Sequence, residues 1–341
     1  MGAILTPLKT LRIIILFFAL LIVVSWIALA LGPTKVGAFD VVHALLGLSP
    51  KDGPERVIVL FLRLPRVLLA AMVGAGLAVA GAAFQALTRN PLADPFILGV
   101  SSGAAFGVVT ANMLGLGWTF TGYIGFSLFA FLGAILAATI VYAVASVNGR
   151  LPIQSILLAG VIVSLFFSAS ITLFISLIEP SDLGRVLHWM MGSLGPIDYG
   201  LLLLLFGFLL LGIGTIYLQA KSLNLLVLGE EAALQLGVEG ERVKRTVFVM
   251  ASLLTGAVVA FSGSIGFVGL IVPHTIRMTL GSDNRVLIPA AALAGASLLV
   301  AADSVARTIV GPTEIPVGVI TSFCGAPFFV YLLRKRYRSG L

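Results

Sequence analysis

Apolar runs long enough to cross a lipid bilayer constrain this chain more than any motif in it. From Ile13 to Leu31 no residue carries a charge, and roughly 20 such residues in a helix span a hydrocarbon core. Similar runs recur almost to the end of the sequence. Of the 341 residues, 59% are hydrophobic and only 10% charged, against about 25% charged in soluble domains. A soluble globular fold is thereby excluded, and an all-α integral membrane protein is expected, with residues 1–341 forming a single transmembrane domain.

Ten transmembrane helices are expected, at about 11–31, 65–87, 95–114, 121–147, 152–175, 199–219, 244–262, 265–281, 286–306 and 316–334. Ala28-Leu29-Ala30 resembles a signal-peptidase site, but the run through Leu31 is long enough to read as a retained helix. With ten spans both termini share a side. Fourteen of the 21 Lys and Arg residues fall on that side, among them Lys9, Arg89, Lys221, Arg242 and Arg334. The other seven include Arg63, Arg66, Arg185 and Arg307. Basic residues near span ends stay in the cytoplasm, so both termini and the 220–243 loop are expected there. This asymmetry accounts for the net charge of +7 without invoking nucleic acid.

Helices gain no hydrophobic drive to associate in lipid, so close approach relies on small residues. Gly74, Gly76, Ala80 and Gly81 supply them in the second span, and Gly263, Gly266 and Gly269 at the start of the eighth. "GAGLAVAG" (74–81) and "TGAVVAFSG" (255–263) are weakly similar, as two inverted five-span halves would make them.

Catalytic and metal chemistry find little footing. The single cysteine, Cys324, has no partner for a disulfide or thiolate cluster, and His43, His188 and His274 lack ligand spacing. "GVSSG" (99–103) matches a nucleophile elbow in letters, but that motif belongs to a strand-turn-helix. Here Ser101 and Ser102 open an apolar helix and read as packing residues. None of the six lysines follows a glycine, so there is no phosphate-binding loop of the Gly-Lys-Ser/Thr kind. The spans also lack the buried carboxylates that ion-coupled transport uses. Asp303 and Arg307, four apart on a helix, are either a structural ion pair or part of a partner contact.

Two spans carry small or polar stripes: Gly160, Ser164, Ser168 and Thr172 in the fifth, and Gly318, Thr321, Ser322 and Gly325 in the tenth. Lipid does not reward such faces, so each packs on a helix or lines a wet path. Between the sixth and seventh spans lies "LGEEAALQLGV" (228–238). Gly237 is placed to end a helix there. Ala232, Ala233 and Leu236 share one face, Glu231 and Gln235 another. So short an amphipathic helix is unstable alone in water and needs a surface to lie on.

"EAALQLG" (231–237) resembles the cytoplasmic loop by which ABC importer permeases dock on their ATPases. "LRLPRVLLAAMVGAGLAVAGAAFQALTRNPLADPFILGVSSGAAFG" (62–107), "HWMMGSLG" (188–195), "GFVGLIVPHTIR" (266–277), "RVLIPAAALAGASLLVAADSVAR" (285–307) and "EIPVGVITSFCGAPFFVYLLRK" (314–335) are similar in order to the FecCD-type permeases for iron-siderophores, haem and cobalamin. The resemblance implies the ten-helix, BtuC-like fold of type II ABC importers. It implies a subunit in the cytoplasmic membrane, paired with a second permease copy, two cytoplasmic ATPases and an external substrate-binding protein. The chain would bind no cofactor and be no enzyme, with ATP held by the partner ATPase.

Site residues follow from the same resemblance. Coupling to the ATPase falls on 223–238, with Leu228, Gly229, Glu230, Glu231, Ala232, Ala233 and Gly237. Arg63, Arg66 and Arg307 would receive acidic residues of the binding protein. The two polar stripes would line the translocation path. In "RNPLADP" (89–95), Asp94 is placed as an N-cap and Pro95 in the first helical turn. The expected cargo is a metal chelate, ferric siderophore first, with cobalamin and haem as alternatives. A secondary transporter is the alternative from another class.

Overall fold

The computed structural model describes residues 7–32, 34, 36–50, 53–116, 123–311 and 313–338. Among them there are fourteen helices longer than a single 3-10 turn and no strand, with Pro54–Thr88 counted as one helix although Ile58–Arg63 within it is π-helical. They are α1 (Pro7–Ala30), α2 (Ala38–Leu45), α3 (Pro54–Thr88), α4 (Val100–Met113), α5 (Tyr123–Ala145), α6 (Ile153–Ile175) and α7 (Pro180–Met190). They continue with α8 (Tyr199–Leu218), α9 (Ala220–Leu226), α10 (Glu230–Gln235), α11 (Gly240–Ser262), α12 (Val268–Leu280), α13 (Asn284–Thr308) and α14 (Val317–Arg338). The first two residues of the expected span 121–147 lie outside the described residues.

Seven of these helices, α1, α3, α5, α6, α8, α11 and α13, are long and apolar enough to cross a membrane. The other three expected spans are helical but short of that length as apolar helices: α4 has 14 residues, α12 has 13, and the apolar part of α14 is Val317–Tyr331. The reason is local. Pro95 starts a four-residue 3-10 turn that ends at Gly99 in the left-handed region, so α4 begins only at Val100. Gly263 and Phe267 both take positive φ, so α12 begins only at Val268. Irregular backbone within a bundle is tolerated where protein or a cavity meets it.

α3 and α11 lie against each other at the centre, with α13 packed along α3. The crossings of α3 with α13 and with α12 require glycine. A Cβ on Gly74 would lie 2.2 Å from the Gly295 carbonyl oxygen, and one on Gly81 only 1.8 Å from that of Gly269. Of the small residues read from the sequence, Gly74, Gly81, Gly263 and Gly269 place backbone on backbone, as membrane bundles do, whereas Gly76 meets the Val258 side chain and Gly266 meets nothing within 4 Å. α1 is buried only near its end, at Ala28 and Leu29.

α13 connects the two ends of the bundle. At its start, Asn284 donates from backbone and side chain to the Asn224 side chain of α9, at 2.9 and 2.8 Å. At its other end, Arg307 meets α1. Along this helix the two points are separated by about 35 Å at about 1.5 Å per residue. The bundle thus has an arginine end and an α10 end.

Candidate functional site

Three arginines expected to face a partner are brought together at the arginine end, but they do not present equally. Arg63 is 4% exposed. Its guanidinium donates to Leu29 O at 2.7 Å, to Ala30 O at 3.0 Å and to Thr34, closing carbonyls that the end of α1 leaves without helical partners. Arg307 is 3% exposed and forms an ion pair of 2.9 Å with Asp303, while donating to Ala28 O at 3.3 Å. Arg66 donates to Asp303 Oδ1 through Nε and Nη2, at 3.1 and 3.0 Å, and to Glu314 at 2.7 Å. Asp303 is 1% exposed, so one buried carboxylate serves two arginines. Of the five charges, Arg66 and Glu314 reach the surface.

The i, i+4 pairing of Asp303 with Arg307 was legible from spacing. The part played by Glu314 was not, because it arrives from the turn between α13 and α14. Arg66 and Glu314 also edge a cavity of about 620 Å³, whose lining includes Phe126, His188, Trp189 and Val317.

The two polar stripes are only partly brought onto open surface. In α6, Gly160 is buried, and a Cβ on Gly99 would lie 3.6 Å from its carbonyl oxygen. Ser168 and Thr172 are exposed, with Thr172 donating back to Ser168 O at 3.0 Å. In α14, Gly318 packs on the backbone of Met191 and Gly325 on the Phe267 ring, while Thr321 donates to Gly318 O at 3.0 Å. Ser322 and Gly318 line a cavity of about 370 Å³ together with Phe96, Met190, Met191 and Phe323. Nothing in their sequence pattern distinguishes those four apolar residues from the many other apolar residues of the chain. The small residues Gly263, Ser264 and Gly266 were the signal that the sequence offered, and Ser264 and Gly266 line the same cavity.

Among the described residues, neither Ser101 nor Ser102 bonds to a base. Ser101 shares a hydrogen bond of 3.1 Å with Ser264, and Ser102 donates to Gly99 O at 3.0 Å. Asp94 accepts from the Phe96 amide at 2.9 Å and caps the 3-10 turn, as its place before Pro95 predicts. Burial pushes its carboxyl up to about 6. Asp283 at the α10 end behaves oppositely: hydrogen bonds from Arg285, joined by Asn224, hold it down to about 2.

The α10 helix ends as its sequence dictates. Gly237 has φ +80°, with Val238 N–H donating to Ala233 O and Gly237 N–H to Leu234 O, a complete Schellman cap. Ala233 is fully buried, so of the expected contact residues it faces the bundle. Leu228, Leu234 and Leu236 are between 58% and 65% exposed, and Glu231 is exposed beside them. Leu234 and Leu236 lie within the expected 223–238 segment without being singled out in it, and Leu236, expected to share a face with Ala233, is exposed while Ala233 turns inward.

The sequence pattern of the FecCD transport family matches residues 20–335. Over 82% of this chain, the sequence is 46% identical to the cobalamin import system permease protein BtuC of Halobacterium salinarum, covering 74% of that protein. It is 40% identical to the hemin transport system permease protein HmuU of Yersinia pestis, over 96% of this chain and 98% of that one. The fold superposes with a TM-score of 0.82 on a metal-chelate type ABC transporter solved in an inward-facing conformation, at 31% identity and covering 96% of this chain and 99% of that one. The packed all-α bundle, the capped helix between α9 and α11 and these likenesses agree: the chain belongs to the FecCD transport family and is a multi-pass membrane permease of the ABC transporter type.

Proposed function

We propose that this chain is the membrane subunit of a binding-protein-dependent importer for a metal chelate, driven by ATP hydrolysed on a separate subunit that docks on α10. The observation that carries the reading is the exposed apolar surface of Leu228, Leu234 and Leu236. It lies in a stretch with eight charged residues between 221 and 245, so water rather than lipid surrounds it. A six-residue helix showing such a surface fits a soluble partner. By the Lys/Arg asymmetry this end and both termini are cytoplasmic, in the cytoplasmic membrane.

At the arginine end, Arg66 is the cation positioned to meet an acidic binding protein. A second copy of the permease would close the cavity beside Ser322 into a central path. That path would be bounded by Phe96, Met190, Met191 and Phe323 with few polar groups, so a bulky chelate could pass without being held. Ferric siderophore is the first reading for the cargo. Relatives named for iron chelates support it, including an Fe(3+)-citrate import permease of Bacillus subtilis, 40% identical over 95% of both chains. Cobalamin is the second reading, supported by the 46% identity to a cobalamin permease.

The test is uptake into proteoliposomes holding this chain with a cognate ATPase and binding protein, using ferric hydroxamate, ferric citrate, haemin and cobalamin. ATP-dependent uptake of an iron chelate alone is the expected result. Uptake of cobalamin alone would move the assignment to the second reading. Uptake that ignores ATP would overturn the importer mechanism.

A further inference from the structure

Lys244 sits in the first turns of α11, and only 4% of it is exposed. Its ammonium donates to Leu151 O at 3.2 Å and to Glu230 Oε1 at 3.1 Å, and pairs with the Glu241 carboxylate. Three N–H donors thus meet three acceptors, which is what makes a buried ammonium tolerable. Glu241 in turn accepts from the Leu151 amide at 2.8 Å. The pair therefore grips one residue of the main chain by both its N–H and its C=O.

That residue is strategically placed. Leu151 is buried and precedes Pro152, the N-cap of α6. The turn before it, closed by the Val147–Arg150 bridge over Asn148 and Gly149, is bound to α11 as well, through Arg245 and the Gly149 carbonyl. Glu230, on the other side of the ammonium, is the first residue of α10. One cation therefore ties the start of α10 to the start of α6.

The two sides of this node differ. Glu241 and Leu151 form a shielded clamp, whereas the Glu230 side chain is 53% exposed. An ion pair with one exposed partner contributes little to stability. The clamp alone would hold the α5–α6 turn in place; the Glu230 arm adds a link to α10.

We propose that Lys244 is a positioning residue that passes displacement of α10 to the beginning of α6 through Glu230 on one side and Leu151 on the other. The inference rests on the reading of α10 as the ATPase contact. It adds how a movement there reaches a helix that carries one of the two polar stripes.

The experiment uses the permease reconstituted with its ATPase and needs no cargo. A spin label at Gln154, exposed in the first turn of α6, is introduced as Gln154→Cys on a Cys324→Ser background. The label-to-label distance between two permease copies is measured with and without a non-hydrolysable ATP analogue. In the otherwise native chain the distance should shift on nucleotide binding. In Lys244→Gln, which removes the bridging ammonium at a residue only 4% exposed, the ATPase should still copurify and the shift should be lost. Glu230→Gln, which leaves the Glu241–Lys244–Leu151 clamp intact, should lose the shift as well, and the double variant should show no further change, as for two residues acting through one contact. A shift of native size in either single variant would overturn the link. So would loss of the ATPase from Lys244→Gln, because the node would then act on docking rather than on α6. Failure of the native chain to bind any ATPase would instead overturn the reading of α10.

Discussion

Arg66 and Asp303 stand 237 residues apart in sequence and 3.0 Å apart in the structure. Through this pair the start of the membrane-crossing part of α3 is fixed to the end of α13. Asp303 also neutralises Arg307. Removing its charge leaves two arginines at a largely dry helix junction without their shared counter-ion. Asp303→Asn keeps the size and loses the charge, and should cost about 3–5 kcal/mol, the usual range for breaking a buried pair from one side. Thermal unfolding in detergent would show a lowered midpoint for Asp303→Asn, with Glu314→Gln close to the native protein. Equal midpoints for Asp303→Asn and the native chain would remove Asp303 from this role.

Capture of the binding protein should separate Arg66 from its neighbours. Glu314 occupies one edge of the Arg66 guanidinium and is itself 43% exposed, so it competes with any incoming carboxylate. Glu314→Gln should tighten capture and Arg66→Gln should weaken it. Each change should be a few-fold, since exposed pairs are worth up to about 1 kcal/mol, and each should shrink as salt is raised. Arg63→Gln should act on folding instead, because its donors close the end of α1. Binding measured at low and high salt beside a melting curve distinguishes the two behaviours. Identical affinities for Glu314→Gln and Arg66→Gln would count against Arg66 as the contact.

Much of this was legible because lipid imposes simple rules. The long apolar runs marked seven full-length helices, and the glycines of α3 marked where another backbone approaches. Asp94 and Gly237 announced their caps by type and spacing. What the sequence withheld were orientations set by distant segments. Nothing near Arg63 signals that the carbonyls of Leu29 and Ala30 need its donors. Nothing in 228–238 indicates that Ala233 turns inward and leaves Leu234 and Leu236 exposed. The lengths of α4 and α12 were overestimated for a related reason. Hydropathy runs unbroken across Pro95–Gly99 and Gly263–Phe267, while the backbone there leaves the α-helix.

Helix packing offers a sharper test. Gly81→Ala would bring a methyl group to 1.8 Å from the Gly269 carbonyl oxygen, where backbone on both sides leaves no flexible atom to yield. Overpacking of this kind commonly costs about 1–3 kcal/mol, and a clash with main chain belongs at the upper end. Gly266→Ala meets nothing within 4 Å and serves as the control. The yield of monodisperse protein after solubilisation should fall for Gly81→Ala and hold for Gly266→Ala. Equal yields would mean that α3 and α12 can separate without penalty.

Stability should also vary with pH, with a sign set by Asp94. The carboxyl has a value of about 6 in the fold against 3.8 as a free side chain, so the native state holds its proton more tightly than the unfolded chain. Stability from this group is therefore fully present below 3.8 and is lost as pH rises from there to 6, with no further change above. Asp283, held down to about 2, has the opposite sign and acts below its free value, where its contribution is lost as pH falls toward 2. Glu241, held below its ordinary 4.5 by the Lys244 ammonium, likewise acts below that value, so between about pH 4.5 and 6 the slope is the one expected from Asp94. Asp94→Asn retains an oxygen for the Phe96 amide and cannot ionise. Its melting temperature should be flatter than that of the native chain across about pH 4.5 to 6, and higher at about pH 7. A native slope that survives in Asp94→Asn would assign the pH response to some other group.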